Sequence, residues 1–340
     1  MNPVQTDSAA RLFWRENAKA LASFGVVVLL IAVGGAVSSG FASSGHVLML
    51  VKTGAFLGFL SLAQLIVIVS GNGGIDLSVG AVASVGAVVG AALLRGQDAN
   101  AATAFAVVAA LGLAVGLANG LMVSFLGLPP LIVTLAMASV VNGSIYIYSK
   151  GLAVSATSSP LLKSLSNGTT LGIPNAILVW IAVSAACGVV LKYTRTGVKL
   201  YGVGANELAA TLKGVKVPRF RFWVYGASGL ISAVSGLLLL GYIGTAFLDI
   251  GSRYVLPSVA AVTIGGVSIQ GGAGGYLQVV AGTLVLTVLS ALLVSLQTGE
   301  AGRQIVLGLV LLLLLAIYGR ERTRGGSLGF FSGLLHKRRS

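Results

Sequence analysis

Apolar runs of about 15 to 25 residues, separated by short polar stretches, follow one another along this chain, and that is the length needed to cross about 30 Å of hydrocarbon. Backbone amides and carbonyls inside a bilayer must be satisfied within the protein, so runs of this kind fold as helices. The composition agrees, with 56% of the 340 residues hydrophobic and 9% charged. Soluble domains carry about 25% charged residues, enough to cover their outer surface. The sequence therefore predicts an all-α polytopic membrane protein. Ten spans are expected, at about residues 20–39, 47–70, 79–94, 101–126, 130–148, 174–191, 222–242, 256–270, 276–296 and 303–319.

The formal charge is +14. On a soluble chain that would point to nucleic acid, but these charges fall between the apolar blocks, and no nucleic-acid partner is expected. They read instead as a topology signal. With the N-terminus in the cytoplasm, Arg11, Arg15 and Lys19, seven bases from Lys192 to Arg221 and six beyond Tyr318 lie inside, against Lys52, Arg95, Lys150, Lys163, Arg253 and Arg303 outside. The positive-inside rule favours this orientation, with both termini in the cytoplasm. The expected organisation is a cytoplasmic segment 1–19, a transmembrane domain 20–319 with a basic inner loop 192–221, and a basic cytoplasmic tail 320–340. An anionic inner leaflet is then a natural partner of the loop.

Most enzymatic chemistry lacks its parts. Gly226-Ala227-Ser228-Gly229 has the shape of an intramembrane serine-protease motif, yet neither His46 nor His336 falls near it in the sequence to serve as base. Asp76 is the one acid embedded among the expected spans, so a carboxylate pair is missing, and the single Cys187 offers no thiolate cluster. No cofactor or metal is expected. The chain has no Gly-Lys dipeptide and hence no Walker A loop to cradle ATP phosphates. An ion-coupled carrier would usually place more ionisable groups within its helices. A transport subunit driven by a separate partner remains, with a self-sufficient secondary carrier as the alternative.

Four features carry candidate function. The 48 glycines are about twice the usual share and predict close helix packing. Two glycine clusters, Gly71 to Gly80 and Gly265 to Gly275, interrupt apolar sequence in different halves, the signature of broken helices at a transport pathway. Asp76 and Ser78 in the first cluster either cap the third helix or contact solute. The fifth span carries Thr134, Ser139, Asn142, Ser144, Tyr146 and Tyr148, so Thr134, Asn142 and Tyr146 join Asp76 and Ser78 as candidate pathway residues. Asn206 to Gly214 reads as a short inner helix, with Leu208, Thr211 and Leu212 on one face and a glycine stop.

The order of short motifs resembles the permease subunits of bacterial ABC importers for ribose, xylose, arabinose and galactose. These motifs are Gly73-Gly74-Ile75-Asp76-Leu77-Ser78-Val79-Gly80, then Gly127-Leu128-Pro129-Pro130, then Gly204-Ala205-Asn206-Glu207-Leu208-Ala209-Ala210 to Gly214-Val215, then Ala260-Ala261-Val262-Thr263-Ile264-Gly265-Gly266. The acidic residues common before the last motif in that family are replaced by Tyr254-Val255-Leu256-Pro257, and its aromatic-Gln pair by Arg303-Gln304. The resemblance implies a multi-pass protein of the bacterial inner membrane. It also implies a cytoplasmic ATP-binding subunit, an extracytoplasmic sugar-binding protein and a second permease copy, identical or a close paralogue. It makes Asn206, Glu207, Leu208, Ala209, Leu212 and Gly214 the coupling helix that seats in the ATPase, in place of an amphipathic helix lying on lipid. Permeases for branched-chain amino acids share the plan and stay as an alternative solute class.

Overall fold

The computed structural model describes residues 9–149, 157–310, 312 and 313, with the side chains of 9–17 excepted. The basic tail 320–340, Lys150 and the end of the expected span 303–319 lie outside these residues. The chain forms α1 (Ala9–Val37), α2 (Ser44–Val69), α3 (Val79–Leu94), α4 (Ala101–Ser124), α5 (Pro130–Ser149), α6 (Pro160–Asn167), α7 (Asn175–Tyr193), α8 (Arg195–Ala205), α9 (Glu207–Leu212), α10 (Val217–Ile243), α11 (Val255–Ile264) and α12 (Tyr276–Ser295). Residues 300–310 are again helical. A two-stranded hairpin, β1 (Thr169–Thr170) with β2 (Ile173–Pro174), is the only sheet among the described residues.

Among the described residues, seven helices are long and apolar enough to cross a membrane. Two of the expected spans are short helices, α3 as drawn from sequence and α11 shorter than drawn. α3 has 16 residues, about 24 Å of helix, and α11 has ten, about 15 Å, half of a hydrocarbon core. The expected span 256–270 stops at Ile264 because Gly265 and Gly266 end the helix, and Gly266 takes a positive φ of 88°. α10 begins at Val217, five residues before the expected start, so Arg219 and Arg221 belong to its first turns and not to a loop. α8 was not expected as a separate helix; Thr194 caps it, its hydroxyl accepting from the Gly197 amide.

The core is built on α2, α3 and α10, with α4 against α10 and α1 against α12. Between helices in lipid the attraction is close packing, so small residues mark the contacts. Gly112, Gly116 and Gly120 of α4 lie one turn apart, against the backbone of α10 at Gly229, Tyr225 and Phe222. Gly86 of α3 meets Ala233 of α10 in the same way, and Gly236 of α10 meets Ala83. Polar pairs tie the remaining helices: Trp180 Nε1 of α7 donates to the Tyr276 hydroxyl of α12 (2.9 Å), which donates to the Gly58 carbonyl of α2 (2.8 Å).

Loop contacts separate into two poles. At one, Lys52 Nζ donates to Asn167 Oδ1 (2.8 Å), Asn167 Nδ2 to the Tyr242 carbonyl (2.8 Å), and the Leu161 amide to Asp98 (2.8 Å). At the other, Lys19 reaches the Gly266 carbonyl, Tyr201 donates to the Gly274 carbonyl (2.7 Å), and the Gly272 amide donates to the Val69 carbonyl (2.9 Å). This is the segregation that alternating spans require, and it groups the expected inner elements together.

A Cβ placed on Gly229 would strike the Gly112 carbonyl oxygen, whereas one on Gly188 meets nothing within 4 Å. Gly229→Val is therefore expected to lower stability by about 1–3 kcal/mol through overpacking. Gly188→Val should stay close to wild type when melting temperatures of the detergent-purified variants are compared.

Candidate functional site

The chain leaves α2 at Val69, runs without helix through 70–78 and enters α3 at Val79. Non-helical backbone at membrane depth is tolerated only where protein or a water-filled cavity satisfies its polar groups. Here the satisfaction comes from four helices and from the segment itself. Gln64 of α2 bonds both backbone groups of Asp76, its Nε2 donating to the carbonyl (2.9 Å) and its Oε1 accepting from the amide (3.1 Å). Asp76 Oδ1 accepts from the Ser78 amide (3.0 Å) and hydroxyl (2.6 Å), and Oδ2 accepts from the Ser228 hydroxyl of α10 (3.0 Å). Asn119 of α4 donates to the Ser78 hydroxyl (2.9 Å), and Thr134 of α5 accepts from the Leu77 amide (3.0 Å).

The structure thus brings together three of the five candidate pathway residues. Asp76, Ser78 and Thr134 are buried within this cluster. Asp76 does take a backbone amide at the entry of α3, but the Ser78 side chain makes no cap bond, because its hydroxyl is committed to Asp76. Asn142 and Tyr146 stand apart on α5, two and three turns from Thr134. Tyr146 is exposed, and the Asn142 Oδ1 atom is enclosed without a hydrogen-bond partner. Ser139 and Ser144 donate to the carbonyls four residues back on α5, so their hydroxyls need no partner from outside the helix.

The second glycine cluster joins the first. A Cβ on Gly71 would sit 3.0 Å from the Gly204 Cα, and one on Gly271 or Gly272 would press into Gly71 or Ala205. The breaks after α2 and α11 therefore meet at the end of α8, one residue before the expected coupling helix. That helix exists as α9. Asn206 caps it, Oδ1 accepting from the Ala209 amide (2.9 Å), and Gly214 ends it with a φ of 84°. Ala210 is buried against Val203 and Val217, while Leu208 and Leu212 are 71% and 81% exposed.

Glu207, a member of the expected coupling helix, is engaged within the chain itself: it pairs with Arg221 of α10 (3.0 Å). Arg221 is buried, and its Nη2 also lies 3.4 Å from the Ser70 carbonyl at the end of α2. One guanidinium thus bridges α9, α10 and the interrupted segment. Sequence reasoning missed Gln64, Asn119, Ser228 and Arg221. Gln64 and Asn119 had a readable signal, being amides inside apolar helices. Arg221 had none, because six other bases surround it in the run from Lys192.

Interrupted helices joined in the interior of a polytopic bundle, with a short helix displayed at one pole, define a membrane transport subunit. Residues 46–315 match the family model described as the permease component of a branched-chain amino acid transport system, and the chain belongs to this family. It is 34% identical to a probable ABC transporter permease, y4mJ, of Sinorhizobium fredii over 89% of this chain and 90% of that protein. It is 28% identical to the ribose import permease RbsC of Escherichia coli, over 94% of this chain and 99% of that protein. With the fructose import permease FrcC of Rhizobium meliloti the identity is 32% over 86% and 82%. No solved structure matches the chain.

Ser228→Ala removes one hydroxyl from the buried carboxylate of Asp76, and Asp76→Leu strands three donors. The first is expected to cost about 1.5–3 kcal/mol and the second more. Equal melting temperatures for wild type and both variants in detergent would show that the cluster does not hold the bundle together.

Proposed function

We propose that this chain is the permease subunit of an ATP-driven importer in a bacterial inner membrane, passing a monosaccharide delivered by an extracytoplasmic binding protein. The observation that carries the reading is α9, a capped helix of six residues that exposes Leu208 and Leu212 on the pole where both helix breaks meet. A side chain left that apolar and exposed is an anchor for a partner. Gly204 and the Arg221–Glu207 pair give it a rigid connection to the interior. In this reading α9 is the coupling helix, with Asn206, Ala209 and Gly214 shaping it, and it seats in a separate cytoplasmic ATPase.

The ten apolar segments then cross or enter the membrane, with the short α3 and α11 among them and both termini in the cytoplasm. Residues 1–19 and 320–340 flank the transmembrane domain 20–319. A second permease copy completes the pathway, with Asn142 and Tyr146 of α5 on its wall. Asp76, Ser78 and Thr134 hold the adjoining break, so they act on solute through its position. Neutral amide and hydroxyl groups suit a neutral polyol that must be released, and the ribose and fructose importers among the relatives support a sugar. The family description supports branched-chain amino acids as the second reading.

Co-reconstitution with a partner ATPase and binding protein tests both. ATP-dependent uptake of labelled ribose or fructose is expected, whereas leucine uptake would support the second reading, and uptake by the permease alone on an ion gradient would sink the ABC reading. Truncating Leu208 and Leu212 together to Ala should remove a few kcal/mol from ATPase docking. Membrane insertion should be unchanged, and hydrolysis should no longer respond to loaded binding protein. Asn142→Leu and Tyr146→Leu should lower uptake while leaving ATPase binding intact.

A further inference from the structure

Beside α9 the surface carries two cavities that share a wall. One is a groove of about 440 Å³ lined by Lys199, Lys213, Lys216 and Arg219 together with Phe220 and Trp223. All four bases are exposed, and none has an ion-pair partner among the described residues. The other is an apolar crevice of about 390 Å³ between α2, α7, α8 and α10, lined by Leu62, Ile66, Val183 and Ile231 among others, and again by Phe220 and Trp223. Both volumes lie in the range of small-molecule sites.

One stripe of α10 connects them. Lys216, Phe220, Trp223, Ala227 and Ile231 recur at helical spacing of three and four, so they share a face that runs from cationic to apolar over about 20 Å. Trp223 is 58% exposed at the boundary, in edge contact with Phe222, which meets Phe125 in turn. Amphipathic aromatic rings gather at the level of lipid headgroups.

We propose that these cavities form one site for an anionic phospholipid of the inner leaflet, with the phosphate held by Lys199, Lys213, Lys216 and Arg219 and an acyl chain in the crevice. Charge complementarity selects the headgroup, and the contiguous apolar wall selects a lipid. A soluble partner could pair the bases but would leave the crevice uncovered. The site flanks α9 through Lys213 and Gly214, so lipid occupancy would bear on how the proposed coupling helix is held.

The inference rests on residues 192–221 facing the cytoplasm, as in the proposed function. Its test needs neither ATPase nor solute. The full chain is placed in phosphatidylcholine vesicles that carry brominated phosphatidylglycerol, or equally brominated phosphatidylcholine, in both leaflets. Quenching of the Trp223 fluorescence is read as the difference between wild type and Trp223→Phe. Stronger quenching by the anionic lipid is expected. In a variant with all four bases changed to Gln the preference should vanish, with about fivefold weaker binding for each charge removed. Ala227→Phe, which fills the crevice, should reduce quenching by the anionic lipid. Equal quenching by both lipids, a preference that survives loss of the four bases, or unchanged quenching in Ala227→Phe would overturn the proposal. Displacement by inorganic phosphate would overturn it too, because it would mark a free-anion site.

Discussion

The fold depends on how this chain satisfies an interrupted backbone within a bundle of apolar helices. Between Val69 and Val79 the backbone is not helical, and apart from the exposed Asn72 and Gly73 it is buried or half-buried among the surrounding helices. Asp76 meets that demand by accepting from three donors, while Gln64 bonds the Asp76 backbone on both sides. The break is therefore a rigid part of the protein. It pins the ends of α2 and α3 and brings α4, α5 and α10 to the same point through Asn119, Thr134 and Ser228.

A break fixed in this way can pass on movement. The glycine junction of Gly71, Gly204, Gly271 and Gly272 lets three backbones approach where any side chain would keep them apart. The buried Arg221 adds a charged tie from Ser70 to Glu207. An isolated exposed ion pair contributes little. This one has a buried member, whose charge would be left uncompensated if the partner withdrew. In the proposed function, displacement of α9 by a docked ATPase would be carried to the first helix break and, through the glycines, to the second, which lies between α11 and α12.

The two exposed features near α9 have different chemistry, and so fit different partners. Leu208 and Leu212 project from a short helix as knobs, which suits a groove in a protein. The basic groove and crevice along α10 form a concave surface that is charged at one end and apolar at the other, which suits a lipid. Both include residues of the basic stretch 192–221.

Much of this was legible in the residues taken in order. Long apolar runs dictate spanning helices because hydrocarbon leaves the backbone no other solution, and the asymmetry of Lys and Arg gives the expected orientation. Glycine clusters marked the breaks, and Asn206 with Gly214 marked the ends of α9, since caps and positive-φ stops are local chemistry. The sequence could not show that the clusters at 71–80 and 265–275 meet, that Ser228 turns its hydroxyl to Asp76, or that Glu207 is taken by Arg221. Each of these joins residues that are 14 to 200 positions apart, and which partner a buried polar group finds is decided by helix packing. Local sequence fixed where the helices break; only the tertiary structure decided what each break is bonded to.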